Sequence, residues 1–177
     1  TWIDLSSPGR ELPENAGVGM ARKTGCDTIL ASAIEAHHDR FDLEHFLLFQ
    51  LDADTLAAPN YITATRKALY ESCAGSGCVD FHHQSADNPL LQNAIDRYEL
   101  FLRYYVAGLD WAGSPYAFHT IGSTSVSTAA AYISTGGIPA GRKAGEDFYF
   151  LQKSLKTCGV RRITETCVFP SARPSLR

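Results

Sequence analysis

The sequence predicts a single α/β domain over residues 1–177, with a mostly parallel sheet flanked by helices. Three observations predict it. Apolar runs of strand length alternate with stretches of helical periodicity along the chain. The run Phe46-Leu47-Leu48-Phe49-Gln50-Leu51 is too continuous in apolar residues to have one wet face, as befits a strand covered on both sides. It ends in Asp52-Ala53-Asp54, a pair of acids placed where open α/β sheets hold ligands, beyond the carboxyl end of a strand.

Each element follows from local signals. The segment through Glu14 is rich in Ser, Pro and Gly and reads as loop. Asn15 to about Ala36 reads as a helix with Asn15 as N-cap, because Met20, Ala21, Ile29, Leu30, Ala33 and Ile34 recur at helical spacing. His45 to Leu51 is the apolar strand, and Pro59 to about Cys73 a helix with Pro near its first turn. Cys78 to His83 reads as a short strand. Asn88-Pro89 opens the longest helix, which reaches Trp111 with Leu91, Ala94 or Ile95, Tyr98, Leu102, Tyr105 and Leu109 as its apolar stripe and Glu99–Arg103 as a supporting pair. A strand near Ala117 to Ser127, a short helix to Thr135, a helix from Gly145 to Gly159 and a strand from Val160 to Val168 complete the series.

Composition narrows the function. A net charge of −3 gives no basic face for nucleic acid, so no nucleic-acid partner is expected. No apolar run approaches the ~20 residues needed to cross a bilayer, and Thr1-Trp2-Ile3-Asp4-Leu5 has neither the basic nor the apolar region of a signal peptide. Five scattered cysteines fit a reducing, cytoplasmic setting. Cys73 and Cys78 have no second Cys/His pair at zinc spacing and read as ordinary thiols.

Three clusters carry chemistry. Asp52 and Asp54 offer hard oxygen ligands for Mn²⁺ or Mg²⁺, whose other positions water and substrate phosphates would fill. The bland alternative is a solvated acidic turn before the next helix. Asn15, Gly17, Gly19, Arg22 and Lys23 combine close backbone approach, a helix N-terminus and cations, which suits an anion. A glycine-relaxed helix start is the alternative. Glu146 and Asp147, after Gly145, stand in the first turn of a helix, where capping explains them as readily as proton transfer does. Gly136-Gly137 and Gly141-Arg142-Lys143-Ala144 read as a loop that closes over an acceptor. His119 reads either as a metal or acceptor contact or as a satisfied strand histidine. His37-His38 and His82-His83 read as surface pairs. The aromatics Tyr98, Phe101, Tyr104, Tyr105 and Trp111 suit core packing, an acceptor groove or a subunit interface, so a homodimer is one expected partnership.

Taken in order, these residues resemble family 2 glycosyltransferases, which have the Rossmann-like GT-A fold. The matching pieces are Asn15 and Gly17, Ala21-Arg22-Lys23-Thr24-Gly25, Leu51-Asp52-Ala53-Asp54 with Pro59 following, Gly122-Ser123, Gly136-Gly137 and Gly145-Glu146-Asp147. The resemblance implies inverting transfer from a nucleoside-diphosphate sugar to a hydroxyl of a glycan or other acceptor. It implies that Asp52 and Asp54 hold the metal and diphosphate, that Arg22 lies near the donor, that Asp147 is the general base and that Glu146 orients acceptor or base. A cytoplasmic enzyme, peripheral at the cytosolic face of a membrane, is the family expectation. Two departures stand out. Lys23 replaces the family's usual Asn, and nothing matches the family's first two nucleotide-binding strands, so the chain reads as a core fragment. Two other classes stay open: a non-catalytic nucleotide- or glycan-binding remnant, and a nucleotidyltransferase, which would normally show a glycine-rich loop with a basic residue after its first strand.

Overall fold

The computed structural model describes residues 2–13, 16–141 and 144–173, and among these five strands form one sheet. In chain order the strands are β1 (Leu47–Phe49), β2 (Leu56–Ala57), β3 (Ser76–Phe81), β4 (Ser125–Thr128) and β5 (Val160–Phe169). The helices are α1 (Val18–His37), α2 (Tyr61–Ser72), α3 (Pro89–Trp111), α4 (Ala129–Ser134) and α5 (Glu146–Thr157). The α/β class is therefore as the sequence predicts.

The sheet is mixed, which corrects the expectation of a mostly parallel one. Its order is β1-β4-β3-β5-β2, and only β3 and β5 run parallel; β1–β4, β3–β4 and β2–β5 are antiparallel. Alternation of strands and helices does not by itself fix direction. The stretch of residues 112–124 after α3 is long enough to bring β4 in from the opposite end, as an antiparallel neighbour of β3. That stretch is irregular apart from a single 3₁₀ turn, Gly122–Thr124, so the strand expected from Ala117 shrinks to four residues.

Two clusters fill the core. Leu48 joins Leu30, Phe118, Tyr132, Ile138, Phe150 and Leu151, tying α1, α4 and α5 to the sheet. Its neighbours Leu47 and Phe49 pack instead with Tyr61, Leu69, Val79, Phe81, Val126 and Ile163 beside α2. Successive strand residues point to opposite faces, so helices cover both sides of the sheet. β1 is nevertheless an edge strand, and α1 overhangs that edge. Of its predicted stripe only Leu30 is buried, while Ile29 and Ile34 are 47% and 40% exposed.

Local chemistry sets the boundaries. α3 begins where the sequence predicts, because the Asn88 side chain accepts from the Leu91 amide at 2.8 Å and Pro89 needs no amide partner. Thr128 caps α4 in the same way, accepting from Ala131 at 3.1 Å. β3 and β5 shift register between Val79 and Asp80, leaving residues 164–166 of β5 as a bulge. Asn60 holds it: its amide donates to the Glu165 carbonyl at 3.1 Å and its carbonyl oxygen accepts from the Thr166 hydroxyl at 2.9 Å. Among the described residues no helix is long and apolar enough to cross a membrane.

Candidate functional site

A single arginine draws together three of the acids singled out from the sequence. Arg22 lies in the second turn of α1. Its Nη1 donates to Glu146 Oε1 and to Asp147 Oδ1, both at 2.6 Å, and its Nη2 donates to Asp52 Oδ1 at 2.6 Å. These are charge-assisted contacts, the stronger class of hydrogen bond. They knit α1, the turn after β1 and the N-terminus of α5 around one guanidinium.

Two glycines make that approach possible. A side chain at Gly122 would fall onto the Arg22 guanidinium. A Cβ at Gly19 would lie 2.8 Å from the Pro139 carbonyl and 2.9 Å from Glu146 Cβ, so α1 can pass α5 only where no side chain intervenes. Gly145 caps α5 with φ +80, a left-handed conformation that glycine adopts without strain, and it turns the chain so that Glu146 and Asp147 point inward.

The acids differ in environment. Glu146 has a side chain only 3% exposed, Asp147 15% and Asp52 43%. Burial pushes Asp147 up to about 6; Arg22 opposes the shift, and the charges of Glu146 and Asp52 add to it. Burial works against the charge on Arg22, but Asp147, Asp52 and Glu146 outweigh it and hold the guanidinium firmly protonated. An acid with a pKa near neutrality beside a fixed cation is suited to accepting a proton.

These groups line a cleft of about 1010 Å³, together with Asp54, Ser123 and Arg173. Asp54 stands apart from the Arg22 cluster: its Oδ2 accepts from Arg173 Nε at 2.6 Å, and its backbone carbonyl accepts from Gln84 Nε2 at 3.0 Å. The same Gln84 amide also reaches the Phe169 carbonyl at 2.8 Å, tying the acidic turn to the end of β5. A second cavity of about 490 Å³ adjoins the cleft between α1 and β1. It shares Arg22, Asp52 and Ala53 and is otherwise mostly apolar, with Cys26, Ile29, Phe46 and Leu48 in its walls.

Asp52 and Asp54 supply the hard oxygen donors a divalent cation of the Mn²⁺ or Mg²⁺ type takes, each keeping one carboxylate oxygen on an arginine. Among the described residues no group of three or more His, Cys, Asp or Glu is arranged to hold a metal without help. Two carboxylates are fewer ligands than such an ion takes, so a metal here would need water or a substrate phosphate to complete its coordination.

Other expected site residues lie elsewhere. Asn15 falls outside the described residues. Gly17 is the N-cap of α1, with no part in the cleft wall. His119 lies against Phe81, ring centroids 5.0 Å apart, in a separate cavity of about 90 Å³ with Asp80, Arg103 and Arg162. Burial, reinforced by Arg103, lowers its pKa. His83 is not a surface residue as expected: its side chain is 10% exposed and its Nδ1 bonds Glu99 at 2.8 Å. Arg173 and Gln84 were not legible as site residues. The signal for Arg173 was its place as a cation just beyond the end of a strand; Gln84 carried none. No family model matches the chain, and no curated protein matches it in sequence.

Proposed function

We propose that the protein transfers a glycosyl group from a nucleoside-diphosphate sugar to a hydroxyl of a glycan or other acceptor. The observation that carries this reading is the Arg22 cluster, which sets a half-buried acid of raised pKa, Asp147, in the wall of a cleft that also holds Asp52 and Asp54. The ordered sequence resemblance adds the reaction class and its inverting course.

In this reading the acceptor hydroxyl lies against Asp147, which takes its proton as the oxygen attacks the anomeric carbon. The new carbon–oxygen bond forms as the bond from that carbon to the diphosphate breaks, and the diphosphate leaves with the electron pair. Glu146, bonded to the same Nη1 of Arg22 as Asp147, fixes the guanidinium and thereby the base. Arg173, paired with Asp54 in the cleft wall, places a cation beside the diphosphate, and the apolar cavity between α1 and β1 suits the flat face of a nucleobase. A divalent cation held by Asp52 and Asp54 would supply Lewis-acid neutralisation of the leaving diphosphate.

The test is thermal stabilisation by UDP, GDP, dTDP and CMP with Mn²⁺, beside Asp54→Asn, followed by product analysis with the matching sugar nucleotide. One nucleotide should raise the midpoint only with metal and only in the wild type, and the free nucleoside diphosphate should appear on turnover. Stabilisation that persists in Asp54→Asn removes the metal role. Pyrophosphate release would indicate nucleotidyl transfer, and binding without turnover a non-catalytic nucleotide-binding domain.

A further inference from the structure

α3 meets the rest of the molecule along one side only. Leu102 packs on the second core cluster, Arg103 lies 5.1 Å over the Phe81 ring, Glu99 holds His83 and Val106 is buried. The other side carries Leu90, Ala94, Arg97, Phe101, Tyr104 and Trp111, at alternating spacings of four and three residues, with Gly108 completing the series. Every one of them is exposed, Leu90 by 86%, Tyr104 by 77% and Trp111 by 92%. That spacing, kept along the whole helix, makes the seam of a two-helix coiled coil, and an apolar stripe of this length is not left in water by a lone helix.

We propose that this stripe is covered by α3 of a second copy of the chain, running antiparallel across a two-fold axis. The stripe is complementary to itself, as such an interface must be. With the axis between Phe101 and Tyr104, Phe101 of one copy meets Tyr104 of the other, Trp111 lies over Ala94, and Arg97 lies over Gly108. Trp111 and Arg97 thus face small residues, while the rings of Phe101 and Tyr104 meet at the axis. A Cβ at Gly108 would meet nothing within 4 Å in the single chain, so the space there is open for the incoming side chain. Arg97 is the one charge on the stripe and makes no ion pair among the described residues. Across the axis its guanidinium comes between Tyr104 and Trp111, where ring faces attract a cation.

The area also fits. Phe101, Tyr104 and Trp111, at ~150–250 Å² per aromatic side chain and exposed to the extent seen here, let the stripe bury on the order of 500 Å² per copy, which reaches the ~1,000 Å² in total that a specific interface needs. Charge argues against a lipid surface as the occupant. α3 carries Asp96, Glu99 and Asp110 against Arg97 and Arg103 and has no lysine, whereas helices that lie on membranes present a basic polar face.

Sedimentation velocity on the full chain at low to high micromolar concentration tests the proposal. Wild type should sediment as a dimer. Phe101→Glu and Trp111→Glu should each raise the dissociation constant at least tenfold, and Ile62→Glu, on the equally exposed face of α2, should leave it unchanged. Under mild oxidation Arg97→Cys/Gly108→Cys should cross-link into a covalent dimer that Arg97→Cys alone does not form. A wild type that stays monomeric, or a dimer indifferent to both glutamates, overturns it. So does co-sedimentation of a monomer with anionic phospholipid vesicles that the same two variants abolish, since lipid would then be the occupant.

Discussion

The guanidinium of Arg22 occupies the space that a side chain at Gly122 would need. Gly122→Ala therefore forces the arginine off its three carboxylates or moves the 3₁₀ turn that precedes β4. Overpacking of this kind costs about 1–3 kcal/mol, which for a domain of this size lowers the melting midpoint by several degrees. Calorimetry should show that loss, and nucleotide binding should fall with it.

Removing the arginine itself has a different signature. Arg22→Met leaves Glu146, with its side chain 3% exposed, without its partner, and breaking a buried pair from one side costs about 3–5 kcal/mol. Arg22→Met/Glu146→Gln should recover much of this, because the second change removes the stranded charge. Urea denaturation of the two singles and the double at neutral pH measures the coupling. Equal stability of Arg22→Met and the double variant would mean that Glu146 does not depend on Arg22.

Asp147 gives the protein a pH dependence opposite to that of most acids. Its folded pKa is raised to about 6, so between pH ~4 and ~6 the native state binds more protons than the unfolded chain. Its contribution to stability is complete below the unfolded value and is lost as pH rises through the folded one. At roughly 1.4 kcal/mol per unit the loss is about 3 kcal/mol at most. Asp147→Asn should flatten the stability curve across this window. If Asp147 is the base, turnover should also fall away below an apparent pKa near 6, and a pH–rate profile without that limb would exclude the role.

Asn60 should matter more than its exposed position suggests. Asn60→Ala releases the two bonds that hold the bulge at Glu165 and Thr166, at about 0.5–1.5 kcal/mol per bond. Denaturant melts should report a drop of about 1–3 kcal/mol, and amide exchange should quicken at residues 164–166 while β3 stays protected.

What the sequence revealed is what short-range chemistry governs. The start of α3 was legible because Asn88 and Pro89 act within one turn, and the α5 boundaries because glycines flank them. Strand direction was not, since β4 could enter from either end after an irregular connection. The two-residue β2 was too short to carry a pattern, and Tyr98 and Tyr105, read as stripe residues, are 49% and 58% exposed because α3 is covered on a narrower side. In the site, the types Asp52, Arg22, Glu146 and Asp147 could be picked out from spacing. That one guanidinium joins them could not, because their meeting is decided by packing among α1, β1 and α5. His119 was placed near a Gly-Ser turn by sequence proximity, but its ring turns to Phe81.

The parallel pairing of β3 with β5 bears on how the chain comes to be folded. β3 lies at the centre of the sheet, yet one of its two partners is the last strand of the described chain. On the ribosome β3 must wait without either partner until β4 appears and stays half paired until β5 follows, and Arg22 must wait for acids that lie more than 120 positions later. Contacts closed over such distances form slowly and leave hydrogen-bonding edges open meanwhile. Synthesis that pauses before α5 should thus yield a chain with no cleft and a strong tendency to be held by chaperones, whereas completion of β5 closes the sheet and assembles the cleft in one step.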